Sequence, residues 1–267
     1  MTLEACLTLD LEPDHAGRAT FAYEAWRPER LDAMMDALGE FKAPLSAFVV
    51  GRSLEQQPDA IAHLRRRGVE FHLHSYSHDL AEPDSALEID KGMRVFEEAL
   101  GKRPVGYRAP EGRISEAGLM RLAERGFLFD SSVFPSAWPH PRYLRYPRTA
   151  YRSKPSQLLE IPIATAGAAR LLVTLSFIKL LGFPLYRRLL LKKRVPDPLI
   201  FDMHLHDLFV LPAYEQLPAF LKVAYSRNRA EGFTLLRETL TLLRGLGYEF
   251  TSMSTAAGAL DKKLPRC

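Results

Sequence analysis

Cysteine is almost absent. Cys6 and Cys267 are the only two in 267 residues, and neither has metal-ligand spacing to the other. A disulfide framework and a thiolate metal site are both excluded, and a reducing compartment is expected. Charge of one sign is also scarce. The net charge is +4, and the basic excess is local, at Arg187, Arg188, Lys192, Lys193 and Arg194 and again at Lys262, Lys263 and Arg266. No broad basic face or nucleic-acid module is present, so no nucleic-acid partner is expected. Long apolar runs are missing too. The most Leu-rich stretch, Ala168 to Leu191, is broken by Arg170, Lys179, Pro184, Arg187 and Arg188, whereas a spanning helix needs about 20 apolar residues with few charges. The start, MTLEACLTLD, lacks the pattern of a secretory signal, so a cytoplasmic location is expected. No internal repeat or low-complexity linker divides the chain, which predicts one domain over residues 1–267 with a Leu-rich helical insertion around 168–194.

What is present is alternation. Apolar content is 47% and charged content 25%, ordinary for a globular protein with a buried core. Short apolar runs read as strands at Ala5–Leu9, Pro44–Val50, Val69–Leu73, Val105–Arg108, Phe127–Phe129, Leu158–Ile163, Leu199–Met203 and Tyr248–Met253. Between them, helical periodicity appears at Arg27–Phe41, Asp59–Arg67, Ser85–Leu100, Ser115–Arg125, Ala213–Arg227 and Thr234–Leu246. Ser85 and Glu88 match a capping box. This order predicts an α/β fold with a parallel sheet, and the number of strands predicts a barrel.

In such a barrel, functional groups lie just after the strands' C-terminal ends. Asp10, His74, Arg108, Asp130 and His204 all fall there, each after a different strand. His74 and His78, in HLHSYSH, are four apart; one turn of helix would bring both rings to a shared metal. The residues between them are Ser75, Tyr76 and Ser77, so a base and a third ligand must come from elsewhere. His72 is not expected to ligate. The run TLDLEPDH offers Asp10, Glu12 and Asp14, carboxylates that are costly to gather without a cation. Two histidines and one carboxylate suit zinc with positions open for water and substrate, and a second carboxylate can take a proton from that water.

These residues resemble the motifs of the polysaccharide deacetylase family, the family-four carbohydrate esterases, in the family's order from about residue 5 to 253. TLDLE resembles the first motif, with Asp10 as base. HSYSH resembles the second, with His74 and His78 as metal ligands. Arg108-Ala109-Pro110 resembles the third, whose Arg braces the base, and Asp130-Ser131-Ser132 the fourth. MHLHD resembles the fifth, offering His204 or His206 as the acid that protonates the leaving amine, with His204 favoured. The usual Asp-Asp pair is here Asp10-Leu11-Glu12, similar to Asp-x-Glu subfamilies acting on exopolysaccharide or lipid-linked sugars. The third ligand is Glu12 or Asp14.

The resemblance implies a distorted (β/α) barrel and a divalent metal, zinc being the expected one. It implies hydrolysis of an N-acyl group, acetyl first, from an amino sugar in a glycan or lipid-linked sugar. Removal of a formyl group from a lipid-linked amino sugar is the near alternative. A non-haem iron oxygenase shares the two-His-one-carboxylate set but would be expected on an all-β scaffold. An inactive sugar-binding module would not need Asp10, both histidines and Arg108 together. Leu171, Leu172, Leu175, Ile178, Leu181 and Leu185 recur at helical spacing ahead of the basic cluster. Two outcomes are open: a helix pair covering the barrel, or peripheral contact of 168–194 with the inner face of a membrane.

Overall fold

The computed structural model describes residues 3–14, 22–138, 141–192 and 196–265. Leu3–Leu11 (β1) is buried from Ala5 onward, and only a strand flanked on both sides can be so apolar throughout. It pairs in parallel with Leu45–Val49 (β2) and Leu199–His204 (β10), and at its start with Tyr248–Thr251 (β11). From β2 the curled sheet continues through Glu70–Leu73 (β3), Gly106–Tyr107 (β4), Phe129–Asp130 (β5) and Leu159–Glu160 (β7). The antiparallel Tyr151–Arg152 (β6) ends it. A separate hairpin, Thr165–Ala166 (β8) with Leu171–Leu172 (β9), fills the space between β7 and β10. Ala164 donates its N–H to the Ile200 carbonyl at 3.0 Å, and Thr174 bridges to Asp202. The expected distorted (β/α) barrel is therefore what the chain forms.

The helices are Pro28–Gly39 (α1), Gly51–Gln56 (α2), Pro58–Arg66 (α3), Ala86–Leu100 (α4), Glu116–Glu124 (α5), Leu175–Leu181 (α6), Phe183–Leu190 (α7), Leu205–Leu208 (α8), Ala219–Ser226 (α9), Gly232–Gly245 (α10) and Met253–Lys263 (α11). Ser85 caps α4 as expected, accepting from the Glu88 N–H, but no box forms. The Glu88 side chain turns instead to the loop after β3. The helix expected over Ala213–Arg227 is a 3-10 turn, Pro212–Gln216, followed by α9, because Pro218 lacks the N–H needed to continue. The last strand, expected over Tyr248–Met253, stops at Thr251, because Ser252 caps α11 through Thr255. Through Met253, Ala256 and Ala257 that helix packs in one cluster with Cys6, Phe48, Phe129 and Ile200.

The Leu-rich segment becomes two helices and not one continuous face. Leu171–Leu172 is the strand β9, and Gly182, at φ +94, separates α6 from α7. Leu172, Leu175 and Ile178 lie in the core, while Leu185 and Leu191 stay exposed at 38% and 47%. Lys193 and Arg194 lie outside the described residues. Among the described residues, no helix is long and apolar enough to cross a membrane.

Candidate metal and catalytic site

Parallel register brings the functional groups to one end. Asp10 pairs with His204 across β1 and β10, Leu73 with Tyr107, Tyr107 with Asp130, and Asp130 with Glu160. Side chains two apart on a strand share a face, so Asp10 and Glu12 point together.

HSYSH is not helical. Ser75 and His78 both have positive φ, +55° and +60°, so the chain doubles back to bring the two rings within 5.2 Å. The loop needs support, and Glu88 of α4 supplies it. The Glu88 carboxylate accepts from the N–H groups of Tyr76 and Ser77 and from the Ser77 hydroxyl, at 3.0, 2.8 and 2.7 Å. The Ser75 hydroxyl oxygen accepts from the His78 N–H at 3.1 Å.

Glu12, His74 and His78 form a buried cluster whose candidate ligand atoms lie within 4.8 Å of one another. Glu12 Oε2 lies 2.7 Å from His78 Nε2 and 3.9 Å from His74 Nε2. His74 Nδ1 lies 2.8 Å from the Arg108 carbonyl oxygen. A carbonyl can only accept, so Nδ1 carries the proton and Nε2 presents its lone pair toward Glu12. Burial lowers the His74 pKa to about 4, which keeps the ring neutral and able to ligate. Burial would raise the Glu12 carboxyl, but the adjacent His78 holds it below the usual range. Glu12 Oε1 is buried and accepts no hydrogen bond among the described residues. An ionised, buried carboxylate oxygen without a donor, beside two imidazoles, fits a divalent cation. Asp14 sits elsewhere: its carboxylate accepts from the N–H groups of Glu24 and Ala25, at 2.9 and 3.3 Å, closing the turn after β1. Of the two carboxylates considered as third ligand, the fold gathers Glu12. Trp26 also serves packing here, donating to the Glu12 carbonyl at 3.2 Å.

Beside this cluster Arg108 is fully buried, stacked 4.0 Å from the Phe48 ring. Its Nη1 donates to Asp10 Oδ1 and to Asp202 Oδ1, both at 2.6 Å, and to Thr8 Oγ1 at 3.1 Å. Nε donates to the Ser131 carbonyl. Burial opposes ionisation of Asp10, but Arg108 overrides it and holds Asp10 below the usual carboxylate range. Asp202 was not anticipated. Burial, with the like charge of Asp10 behind it, pushes Asp202 up to about 7. The available signal was its position two before His204 on one strand, which puts both on the same face.

His204 faces the cluster from β10. Its Nε2 lies 3.6 Å from Glu12 Oε1 and 3.8 Å from Asp10 Oδ2, and its Nδ1 lies 3.8 Å from Asp207 Oδ2. Burial disfavours a charged ring, yet these carboxylates, Asp207 foremost, raise its pKa well above the usual value. His206 does not share a strand face with it, because β10 ends at His204 and α8 begins. His206 stacks on His204 at 4.7 Å and meets Tyr225 edge-on. Asp130 is placed beneath the site: Ser132 donates to both its oxygens, and Glu160 lies against it. His72 is buried between Phe48 and Phe129, bonded to Glu70.

The curled parallel barrel thus gathers at one rim a Glu-His-His cluster that could hold a metal ion, an Arg-braced Asp and a facing His. Residues 7–128 match the model of the polysaccharide deacetylase family. A peptidoglycan deacetylase-like protein of Gibberella zeae is 34% identical over 108 residues, covering 39% of this chain and 32% of that protein. A peptidoglycan-N-acetylglucosamine deacetylase of Bacillus cereus is 27% identical over 121 residues, covering 43% and 56%. The chain thus spans well under two thirds of the length of these relatives. Among solved structures, the allantoinase PuuE superposes with a TM-score of 0.63 at 16% identity, over 99% of this chain and 93% of that one. At that identity the likeness concerns the fold alone.

Proposed function

We propose that the protein is a metal-dependent amidohydrolase that removes an N-acyl group, acetyl first, from an amino sugar. One observation carries the reading: the ligand-type cluster Glu12/His74/His78 lies between an Arg-held carboxylate and an imidazole of raised pKa. A divalent cation, zinc by preference, held by Glu12, His74 and His78 would acidify a water and polarise the amide carbonyl. Asp10, ionised and fixed by Arg108, takes the water proton as the oxygen attacks the carbonyl carbon. His204 gives its Nε2 proton to the amide nitrogen as the C–N bond breaks, so carboxylic acid and free amine leave together. The family and both curated relatives support a sugar amide as substrate.

The test pairs metal analysis with product analysis. Purified protein should hold about one divalent ion per chain, and N-acetylglucosamine oligomers should release acetate. His74→Ala should lose both. Chelator-resistant activity, or acid release by metal-free protein, ends the reading. Release of formate from a formylated amino sugar, with no acetate from acetylated ones, would establish the deformylase alternative.

The finer substrate is a lipid-linked sugar met at the inner face of a membrane. Exposed Pro184, Leu185 and Leu191 on and after α7, beside Arg187, Arg188 and Lys192, support it, since such a surface is attracted to anionic headgroups at about 1 kcal/mol per basic residue. Co-sedimentation with anionic vesicles, abolished in an Arg187/Arg188/Lys192 charge-removal variant, is the expected result. Protein that stays in the supernatant at low salt points to a soluble sugar.

A further inference from the structure

Asp207 stands behind His204 and is fully buried, and the family resemblance did not extend to what holds it. Its carboxylate accepts from the His204 backbone N–H at 3.0 Å, and its Oδ2 stands 3.8 Å from the His204 ring Nδ1, a buried nitrogen with no hydrogen-bond partner among the described residues. Both of its oxygens also accept from the Ser176 hydroxyl, each at 2.8 Å. Lys179, one helical turn later and 4% exposed, donates from Nζ to the Asp207 carbonyl at 2.7 Å. The Lys179 carbonyl in turn accepts from Asn228 Nδ2 at 2.8 Å. From the third side α10 presses on the same backbone: a Cβ on Gly232 would stand 2.1 Å from the Asp207 carbonyl oxygen. The residue behind His204 is thus gripped by α6, α10 and its own short helix.

Packing alone does not call for these groups. Helix α6 is Leu-rich and buries Leu175 and Ile178 in the core, and a Leu or Met at 179 would fill the space without burying an ammonium. Burying a charge is unfavourable unless it is compensated. Both polar side chains that α6 turns inward, Ser176 and Lys179, end on the one residue adjoining His204.

We propose that Ser176 and Lys179 are positioning residues that orient the His204 ring through Asp207. The proposal rests on the deacetylase reading for its chemical consequence. In that reading the amide C–N bond breaks with its electron pair going to nitrogen, which must collect a proton from His204 Nε2 at that moment. A misaimed ring fails to deliver the proton, while the metal cluster and Asp10 stay intact.

Two readouts test it on the full chain. In long-range ¹H–¹⁵N spectra of the imidazoles, Ser176→Ala and Lys179→Met should shift or broaden the His204 signals and leave those of His74 and His78 in place. The second readout compares leaving groups in zinc-loaded protein. On N-acetylglucosamine oligomers both variants should lose about 10–100-fold in kcat, the usual scale for removing a partner that orients a functional imidazole. On 4-nitrophenyl acetate, whose leaving group departs without a proton, the loss should stay below about threefold if general-acid help is what is missing. Ser176→Thr, which keeps the hydroxyl, should restore the amide rate.

Equal losses on both substrates would show a general distortion and overturn the proposal, as would unchanged His204 signals. If the wild type cleaves neither substrate, the deacetylase reading falls, and the imidazole spectra still decide the positioning role. Should Lys179→Met fail to fold, Ser176→Ala and Ser176→Thr decide alone.

Discussion

Replacing Arg108 by Met probes the electrostatic centre of the site. The guanidinium is fully buried and serves Asp10 and Asp202 from a single nitrogen, each at 2.6 Å. Met has a similar reach and no charge, so the variant leaves two buried carboxylates facing each other without a cation. Breaking a buried ion pair by removing one partner costs about 3–5 kcal/mol, a large part of the roughly 5–15 kcal/mol that holds a domain folded. Arg108→Met should therefore lower the urea midpoint sharply. Adding Asp202→Asn removes one stranded charge while keeping an acceptor for the Thr8 hydroxyl, now 2.8 Å away. The double variant should recover about 1–3 kcal/mol relative to additivity, the range for residues in one network. The sign of the pH effect follows from Asp202, whose pKa in the folded chain is up to about 7 from an ordinary 3.8. A carboxyl raised on folding contributes stability that is fully present below its unfolded pKa and is lost as pH rises through its folded one. Asp202→Asn alone should thus flatten the decline in stability between about pH 4 and pH 8. Urea unfolding followed by fluorescence of the buried Trp26 measures all of this. If the losses of Arg108→Met and Asp202→Asn simply add at about pH 8, above the folded pKa of Asp202 in the parent chain, the shared-cation account is wrong.

Glu12→Gln should release the metal or weaken it by orders of magnitude, whereas Asp14→Asn should keep it bound and lose only turn stability; isothermal titration with zinc separates them, and the opposite pattern would move the third ligand to Asp14. Asp130 and Glu160 are both fully buried with pKa values pushed up by burial, Glu160 well above the usual range. The pair therefore stabilises the fold below the ordinary carboxyl pKa and loses that contribution as pH rises toward the folded values. Glu160→Gln should raise Tm at about pH 8 by a few degrees, on the scale of about 2–4 °C per kcal/mol for a chain this long. A variant less stable than the parent at every pH would contradict this.

Much of the site was legible because parallel barrels put function at strand ends. Asp10, His74, Arg108 and His204 follow four apolar runs, and the register brings each to the same rim. Glu12 could not be separated from Asp14 by sequence, since both follow Asp10 at short range. Only the N–H groups of Glu24 and Ala25, ten residues on, account for Asp14. The turn containing His74 and His78 was misread because spacing of four is also reachable by a loop with positive φ, and the support for that loop, Glu88, looked like a capping partner. Asp202 was passed over for a different reason, although its place two before His204 on one strand was a signal. A carboxylate inside an apolar strand makes sense only once Arg108, 94 residues away, is known to lie opposite. The Leu-rich segment showed the limit of periodicity, which predicts an apolar face but not whether protein or lipid covers it. Here protein covers most of it.

The pairing of Asp10 with His204 also sets an order of assembly. The two residues are neighbours across β1 and β10, yet 194 residues separate them in the chain (204 minus 10). Chains grow and fold from the N-terminus, and contacts between distant segments close last. Glu12, His74, His78 and Arg108 all precede Asp202 by 94 residues or more, so on the proposed reading the cation ligands are in the chain well before the proton donor. One strand, β10, pairs with β1 and carries Asp202 and His204 to the rim, with Asp207 three residues further on in α8.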